Sequence, residues 1–439
     1  MFPLDFKNPD HPNLQSPESL LLYLGAKAIQ GALPEESVGK FLTVQNLHGN
    51  IVLLSIGKAA YRMAMVAFEV LKNQITTGLI VTKYGHAGPV PQPIKCIEAG
   101  HPIPDQNSIL AGKKILELCS RLKPEDTLLL LLSGGGSSLA EVPAEGLELK
   151  DLIFWNQKLL ASGADIQEIN TVRILLSSIK GGKLLSKIEP AKSMSLILSD
   201  VIGDELSKVA SGPTIHSTIK NDSIFKIFKQ YNLIINKNIG ILLKQNENSP
   251  RTPADSKLHT TFCIGNIASA LKTVQEECQA FDIETILLTS SLGCEAREAG
   301  FFLGAIAREY SRKANHPILI LCGGETTVTH EGNGKGGRNQ ELALAFAKQV
   351  RGLQGVTLFS LATDGTDGPT DTAGAIVNGN TWDMIQKHTN ADLALKNHQS
   401  YEVLKLAEAL VFTGPTGTNV NDIQFLWIES GSIEESQSP

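Results

Sequence analysis

The chain has 439 residues, of which 42% are hydrophobic, with a mean hydropathy of −0.01, a formal net charge of −6 and a pI near 6.0. Such a length exceeds what one ordinary core organises and predicts two domains, while the mild acidity excludes a general attraction to nucleic acid or anionic membrane and leaves anion binding to local basic loops. The six cysteines lack C-x-x-C or metal-like spacing, the N-terminus MFPLDFKNPDHPN has no apolar signal core, and the longest leucine run, Leu128 to Leu132, is far too short to cross a bilayer, which predicts a cytoplasmic protein.

Ser16-Pro17 predicts a helix start, with serine as cap and proline in the first turn. Asn50 to Ile56 reads as a buried strand that turns at Gly57-Lys58 into an apolar helix. Lys58 then falls at a strand's carboxyl end, where open α/β sheets bind ligands. A second strand, Gly78 to Thr82, ends at Lys83-Tyr-Gly-His86. It lacks the Asp or Glu that would hold a ribose in a dinucleotide fold. His101 and Asp105, stiffened by Pro102 and Pro104, line a site or make structural hydrogen bonds.

Leu128 to Leu132 reads as a third buried strand, running into Ser133-Gly134-Gly135-Gly136-Ser137-Ser138. Triple glycine flanked by serines supplies bare amides and hydroxyls, which suit phosphate or carboxylate oxygens. The P-loop pattern G-x-x-x-x-G-K-[ST] is absent from the chain, and the hydrolase pattern G-x-S-x-G is not met here. Ser195 to Ser199 is a short strand ending at Asp200, a position for a metal ligand or general base and equally for a helix cap. Gln245 to Lys257 is polar and proline-bearing and predicts a domain boundary nearby.

Beyond apolar strands near Ile286 and Ile318, a polar segment interleaves Gly332, Gly334, Gly336 and Gly337 with Lys335 and Arg338, and a helix opens at Asn339. Strand, glycine loop, basic residues and helix start form the layout of an anion site; a glycine-rich surface loop is the plainer alternative. The segment GNGKGG also satisfies G-x-G-x-x-G, a weak signal alone. Asp364, Asp367 and Asp371 place three carboxylates in eight residues, which suits Mg²⁺ or ordinary Asp-Gly turns. Thr413 to Asp422 is a polar loop before a closing strand, and Glu429 to Pro439 reads as a frayed tail.

Several of these stretches together resemble the class II glycerate kinases with a C-terminal MOFRL domain. They are SIGKAA, EAGHPIPD, LLLLSGGGSSL, IKGG, ILSDVIGD with ASGPT, GGETTVTHEGNGKGGRNQE, ATDGTDGPTDTAGA and TGPTGTNVND, in the family's order from about Ser55 to Asp422. The resemblance implies an α/β fold of two domains: a Rossmann-like parallel N-terminal domain over residues 1–247 and a smaller α/β MOFRL-type domain over residues 248–439, with the active-site cleft between them. It implies ATP-dependent phosphorylation of D-glycerate to 2-phosphoglycerate with release of ADP and with Mg²⁺ as cofactor. Small-molecule substrates, no nucleic acid, no membrane and a monomer or homodimer are expected. Lys58, Asp200 and Arg338 take the family's catalytic positions. Asp200 is expected to accept the substrate proton or to hold Mg²⁺, with Asp364 as a second metal candidate, while Lys58 and Arg338 stabilise charge on the transferring phosphoryl group. The loops Ser133, Gly134, Gly135, Gly136, Ser137, Ser138 and Gly334, Lys335, Gly336, Gly337 are expected to hold phosphates or the substrate carboxylate.

The chain departs from the family pattern at Ile202 and Leu206, where prolines are usual, at Ile174-Leu175, where a basic pair is common, and at Glu331, where a basic residue is common. Two rival readings remain at this stage. One is an NAD(P)H-dependent hydroxypyruvate reductase, given the nominal G-x-G-x-x-G; the other is a sugar-acid binder without turnover.

Overall fold

The computed structural model describes residues 1–45, 47, 49–217, 219–248, 258–329 and 334–430. Glu331, Gly332, most of the polar stretch before Lys257 and most of the expected tail lie outside the described residues. The chain forms two compact units. One is Pro34–Ile264, and the other joins Met1–Leu33 to the chain from Gly265 onward. This division replaces the single boundary expected after residue 247.

The strands in chain order are β1 (Phe2–Pro3), β2 (Ile51–Ile56), β3 (Ile75–Lys83), β4 (Ile94–Ala99), β5 (Thr127–Leu132), β6 (Lys192–Leu198), β7 (His259–Gly265), β8 (Glu284–Leu292), β9 (Ile318–Gly324), β10 (Val356–Ala362), β11 (Gly374–Asn378), β12 (Leu410–Phe412) and β13 (Asp422–Ile428). In the unit Pro34–Ile264 they form one sheet in the order β4-β3-β2-β5-β6-β7, with β2/β3, β3/β4, β2/β5 and β5/β6 all parallel. The chain starts at β2, winds outward through β3 and β4, and then crosses back to β5 and β6. That is a Rossmann-type order, with its reversal between β2 and β5. The sequences IVLLSI and TLLLLL suit the centre of such a sheet, since strands covered on both faces read as continuous apolar runs. Helices Leu149–Ala161, Ile166–Leu176, Asn221–Gln230 and Lys237–Asn248 form a separate apolar cluster around Trp155, Leu159, Val172 and Phe228.

The second unit has a mixed sheet in the order β1-β12-β11-β10-β13-β9-β8. Its middle is antiparallel, and β1/β12 and β8/β9 are parallel. The N-terminal segment belongs here because Phe2 pairs with Val411 and because the helix Pro17–Gly31 packs closely, with bare Gly25 against the Phe359 ring and Gly31 against Thr273. Ser16 caps that helix as its sequence predicts, accepting from the Ser19 N–H at 3.3 Å. The helix Arg338–Gln349 is buried from Asn339 to Ala347. Its small residues let the helix Ala296–Tyr310 approach until a Cβ at Gly300 would stand 2.3 Å from the Leu342 carbonyl. No described helix is long and apolar enough to cross a membrane.

Candidate active site

In the unit Pro34–Ile264 the carboxyl ends of β2 and β5 lie side by side at the reversal of strand order, the usual ligand position in an open α/β sheet. Gly57 leaves β2 at φ +136, and a Cβ there would be 2.1 Å from Ser133 Oγ, so only glycine lets the two turns touch. They are then locked: Lys58 N–H donates to the Gly134 carbonyl at 2.9 Å, and Ala59 N–H donates to Ser133 Oγ at 3.1 Å. Gly135 is left-handed at φ +82 and needs its missing side chain, since a Cβ would meet His101 Cδ2 at 2.9 Å and Lys58 Cγ at 3.2 Å. The structure therefore brings together Lys58, the glycine loop and His101. Asp200 lies half-buried just beyond β6, the strand next to β5.

The loop after Asp200 returns to the glycine loop. Ser137 Oγ and Ser211 Oγ are 2.9 Å apart, with Ala210 at φ +50, Ser211 at φ +59 and Gly212 at φ +57. Such backbone costs a non-glycine residue on the order of 1–3 kcal/mol and persists only when its surroundings fix it. The IKGG motif does the fixing: Gly181 N–H donates to the Ser211 carbonyl at 2.9 Å and Gly182 N–H to the Gly212 carbonyl at 2.8 Å. Ile174-Leu175, the departure from a basic pair, is packed: Leu175 is buried, and Ile174 lies against the bare Cα face of Gly181.

Charge around this loop is mostly positive. Burial, and then the charges of Lys58, Lys83, Arg173 and His86, push His101 down to about 4, so it is neutral at pH 7. The buried Lys180 ammonium pairs with Glu141, whose carboxylate also accepts from Ser177 Oγ at 2.6 Å. Lys183 donates to the Ile174 and Ser177 carbonyls, both at 2.6 Å, and burial brings it down to about 8. The motifs singled out Lys58, His101, Asp200 and the six-residue loop. Arg173, Glu141, Lys183 and Ser211 were not assigned roles, although Lys180 and Lys183 flank the double glycine that was noticed.

In the second unit the structure corrects one expectation. The N-terminus of the helix Arg338–Gln349, read as a seat for a ligand anion, is already filled by the protein's own carboxylate. Asp367, 1% exposed, accepts from the backbone N–H groups of Asn339 at 3.1 Å and Gln340 at 2.9 Å. Gly337 is bare because a Cβ would lie 2.2 Å from the Asp367 carboxyl carbon. The rest of the RNQE motif is similarly engaged. Arg338 Nε and Nη2 donate to the two oxygens of buried Asp422 at 2.5 and 3.0 Å, and Nη1 donates to Glu325 at 2.6 Å. Asn339 Oδ1 accepts from Ser360 Oγ at 2.6 Å, Gln340 Nε2 donates to Thr370 and Thr372, and Glu341 meets His398 Nδ1 at 2.7 Å. Burial, reinforced by Asp367 and opposed by Arg338, lifts Asp422 to about 7. Burial alone would lower Arg338, but Asp422 and then Glu325 outweigh it and hold the guanidinium well above its ordinary value. Gly334 and Gly336 also make room for protein: a Cβ would collide with the Asn397 carbonyl and with Ser400 Oγ respectively. Lys335 is exposed with its ammonium 4.2 Å from the centre of the Tyr401 ring. Asp422 was visible as an acid opening the apolar strand DIQFLWI, a position that requires a cationic partner.

Residues 20–244 match a family described as "Domain of unknown function (DUF4147)", and residues 318–422 match the MOFRL family. A D-glycerate 2-kinase from Thermotoga maritima is 42% identical over 414 residues, covering 93% of this chain and 98% of the relative. The chain belongs to the glycerate 2-kinase family with a MOFRL domain. A glycerate 2-kinase from Pyrococcus horikoshii is 40% identical over 387 residues, covering 86% of this chain and 87% of that one. The crystal structure of a Thermotoga maritima glycerate kinase superposes with a TM-score of 0.87 at 41% identity, covering 93% of this chain and 98% of that chain.

The family raises the question of a divalent ion. Among the described residues no three His, Cys, Asp or Glu side chains converge to hold one. The carboxylates of the DGTDGPTD segment go separate ways: Asp364 Oδ1 accepts from Thr366 N–H at 3.0 Å, Asp367 caps a helix and Asp371 accepts from Tyr401 Oη at 2.8 Å. This donor set does not fit a resident ion cage. A Mg²⁺ that arrives with nucleotide phosphates would need only one or two protein carboxylates and no such cage.

Proposed function

We propose that this protein transfers the γ-phosphoryl group of ATP to the 2-hydroxyl of D-glycerate, giving 2-phosphoglycerate and ADP. The observation that carries the reading is the relation to a D-glycerate 2-kinase at 42% identity across nearly the full length of both chains. The local geometry supports it. The Lys58 side chain lies against Gly135 at the reversal point of the sheet, which supports Lys58 and the loop Gly134, Gly135, Gly136, Ser137 and Ser138 as the groups that receive phosphate oxygens. Asp200 takes the proton of the attacking hydroxyl as its oxygen bonds to the γ-phosphorus and the bond to ADP breaks, or it holds Mg²⁺. Mg²⁺, when bound, neutralises charge on the β- and γ-phosphate oxygens. Arg338 keeps a part in the proposal, because its side chain is 32% exposed although three of its N–H groups serve Asp422 and Glu325. Gly334, Lys335, Gly336 and Gly337 are better explained as packing than as a phosphate cradle. The scattered cysteine spacing, with no C-x-x-C pair, supports the cytoplasm as the compartment.

The test is turnover. With ATP, Mg²⁺ and D-glycerate, ADP should accumulate in proportion to glycerate consumed, and with NADH and hydroxypyruvate the absorbance should stay flat. NADH oxidation, or glycerate bound without ADP release, would overturn the reading.

A further inference from the structure

Arg173 and Arg338 are both half-buried, yet they are partnered differently. Arg338 sets its Nε–Nη2 edge on a carboxylate. Arg173, on the helix Ile166–Leu176, sets the same edge on a single amide oxygen: Nε and Nη2 both donate to Asn156 Oδ1, at 3.2 and 2.7 Å, and Nη1 reaches Asn170 Oδ1 at 3.4 Å. No carboxylate among the described residues forms an ion pair with it. A partly desolvated guanidinium held only by neutral oxygens carries a cost that an anion beside it would relieve. The nearby acid, Glu141, is already committed to Lys180, Ser177 and the Val142 amide. Glu141 thus pairs with Lys180, while Arg173 and Lys183 are held by neutral oxygens, an excess of positive charge among half-buried and buried side chains.

This excess adjoins the loops already described. Ile174, the next residue, touches Gly181, which is bonded to Ser211, whose hydroxyl meets Ser137 of the glycine loop. The charge of Arg173 is also among those that hold His101 neutral beside Gly135 and Lys58. In the kinase reading phosphate oxygens go to the glycine loop and Lys58, so the remaining anion of the reaction is the acid's own carboxylate. Its two oxygens match a guanidinium fork.

We infer that Arg173 is the residue that binds the carboxylate of the hydroxy-acid substrate and so selects an acid over an uncharged polyol. This rests on the kinase reading above. Losing a charge-assisted fork is worth about 1.5–3 kcal/mol, or roughly 10–100-fold in affinity. In Arg173→Gln the KM for D-glycerate should therefore rise roughly 10–100-fold while the KM for ATP changes less than about twofold. The preference for D-glycerate over glycerol should collapse to a similar extent.

Asn156→Asp separates this role from that of a strut. It offers Arg173 an internal carboxylate of the same shape, so it should leave folding stability equal or higher and still raise the D-glycerate KM by competing for the fork. Stability altered in either variant with the D-glycerate KM and the glycerol discrimination unchanged would make Arg173 a strut and overturn the inference. If Arg173→Gln fails to fold, Asn156→Asp alone decides. A wild-type protein that does not phosphorylate D-glycerate would refute the kinase reading itself, which is a different outcome from an active enzyme indifferent to Arg173.

Discussion

Removal of Arg338 should cost stability in a pH-dependent way, because Asp422 beneath it is fully buried and would be left without its cation. In Arg338→Ala that carboxyl remains in the structure only by taking up a proton. In the wild type that carboxyl is already lifted to about 7, so below pH 7 both proteins hold it largely protonated and the deficit is that of the lost pair, with little pH dependence. The exposed contact to Glu325 adds at most about 1 kcal/mol. The sign follows from proton counts: above pH 7 the wild type releases the Asp422 proton beside Arg338 while the folded variant keeps it, so the deficit grows by about 1.4 kcal/mol per pH unit, or roughly 2–3 kcal/mol by pH 9. Urea denaturation of wild type, Arg338→Ala and Arg338→Ala/Asp422→Asn at pH 6 and 9 measures this. The double variant should recover about 2 kcal/mol or more at pH 9, since no buried acid remains. A deficit that is equal at both pH values, or a double variant no better than the single, would refute the argument. The same samples yield kcat for the folded fraction, so lost turnover is not confused with lost protein.

Three further outcomes are expected. His101, held down to about 4, binds a proton less readily than in the unfolded chain, so wild type should lose roughly 2–3 kcal/mol as pH falls from 6.5 to 4, and His101→Gln should flatten that slope in denaturation curves; an unchanged slope contradicts the assignment. Gly135→Ala places a methyl group against His101 and Lys58 in left-handed backbone, and should cost on the order of 1–3 kcal/mol and reduce kcat by displacing Lys58, whereas normal kcat would show that Lys58 is not positioned by this turn. Asp200→Asn should keep the fold and lose most of the turnover; activity within a few-fold of wild type would reduce Asp200 to a loop brace.

Much of the fold was legible because its central strands are nearly pure apolar runs. IVLLSI, TLLLLL and ILILCGG leave little ambiguity when a glycine turn follows. The strands that escaped reading are short or at a sheet edge. IKCIEA alternates with Lys95 and Glu98, and LVF is three residues long. The membership of Met1–Leu33 in the second unit was hidden for another reason: a two-residue strand and glycines pressed against Phe359 and Thr273 are long-range contacts with no local signature. At the site, local geometry was readable where a strand end runs into glycines, as at Gly57-Lys58 and Ser133 to Ser138. The GKGGRNQE stretch misled because its composition is that of an anion seat while a carboxylate from the next loop, Asp367, occupies it. Glycine there answered to protein neighbours and not to a ligand. The partial pairing of Arg173 could not be seen at all, since Asn156 and Glu141 come from separate segments of the chain.

The central claim is the position to which phosphate is transferred. The direct measurement is incubation with ATP, Mg²⁺ and D-glycerate followed by enolase without any phosphoglycerate mutase. Enolase dehydrates 2-phosphoglycerate directly, so the account predicts an immediate rise in absorbance from phosphoenolpyruvate, matching the ADP formed. ADP formation with no enolase signal until a mutase is added would place the phosphate on the 3-hydroxyl and contradict it.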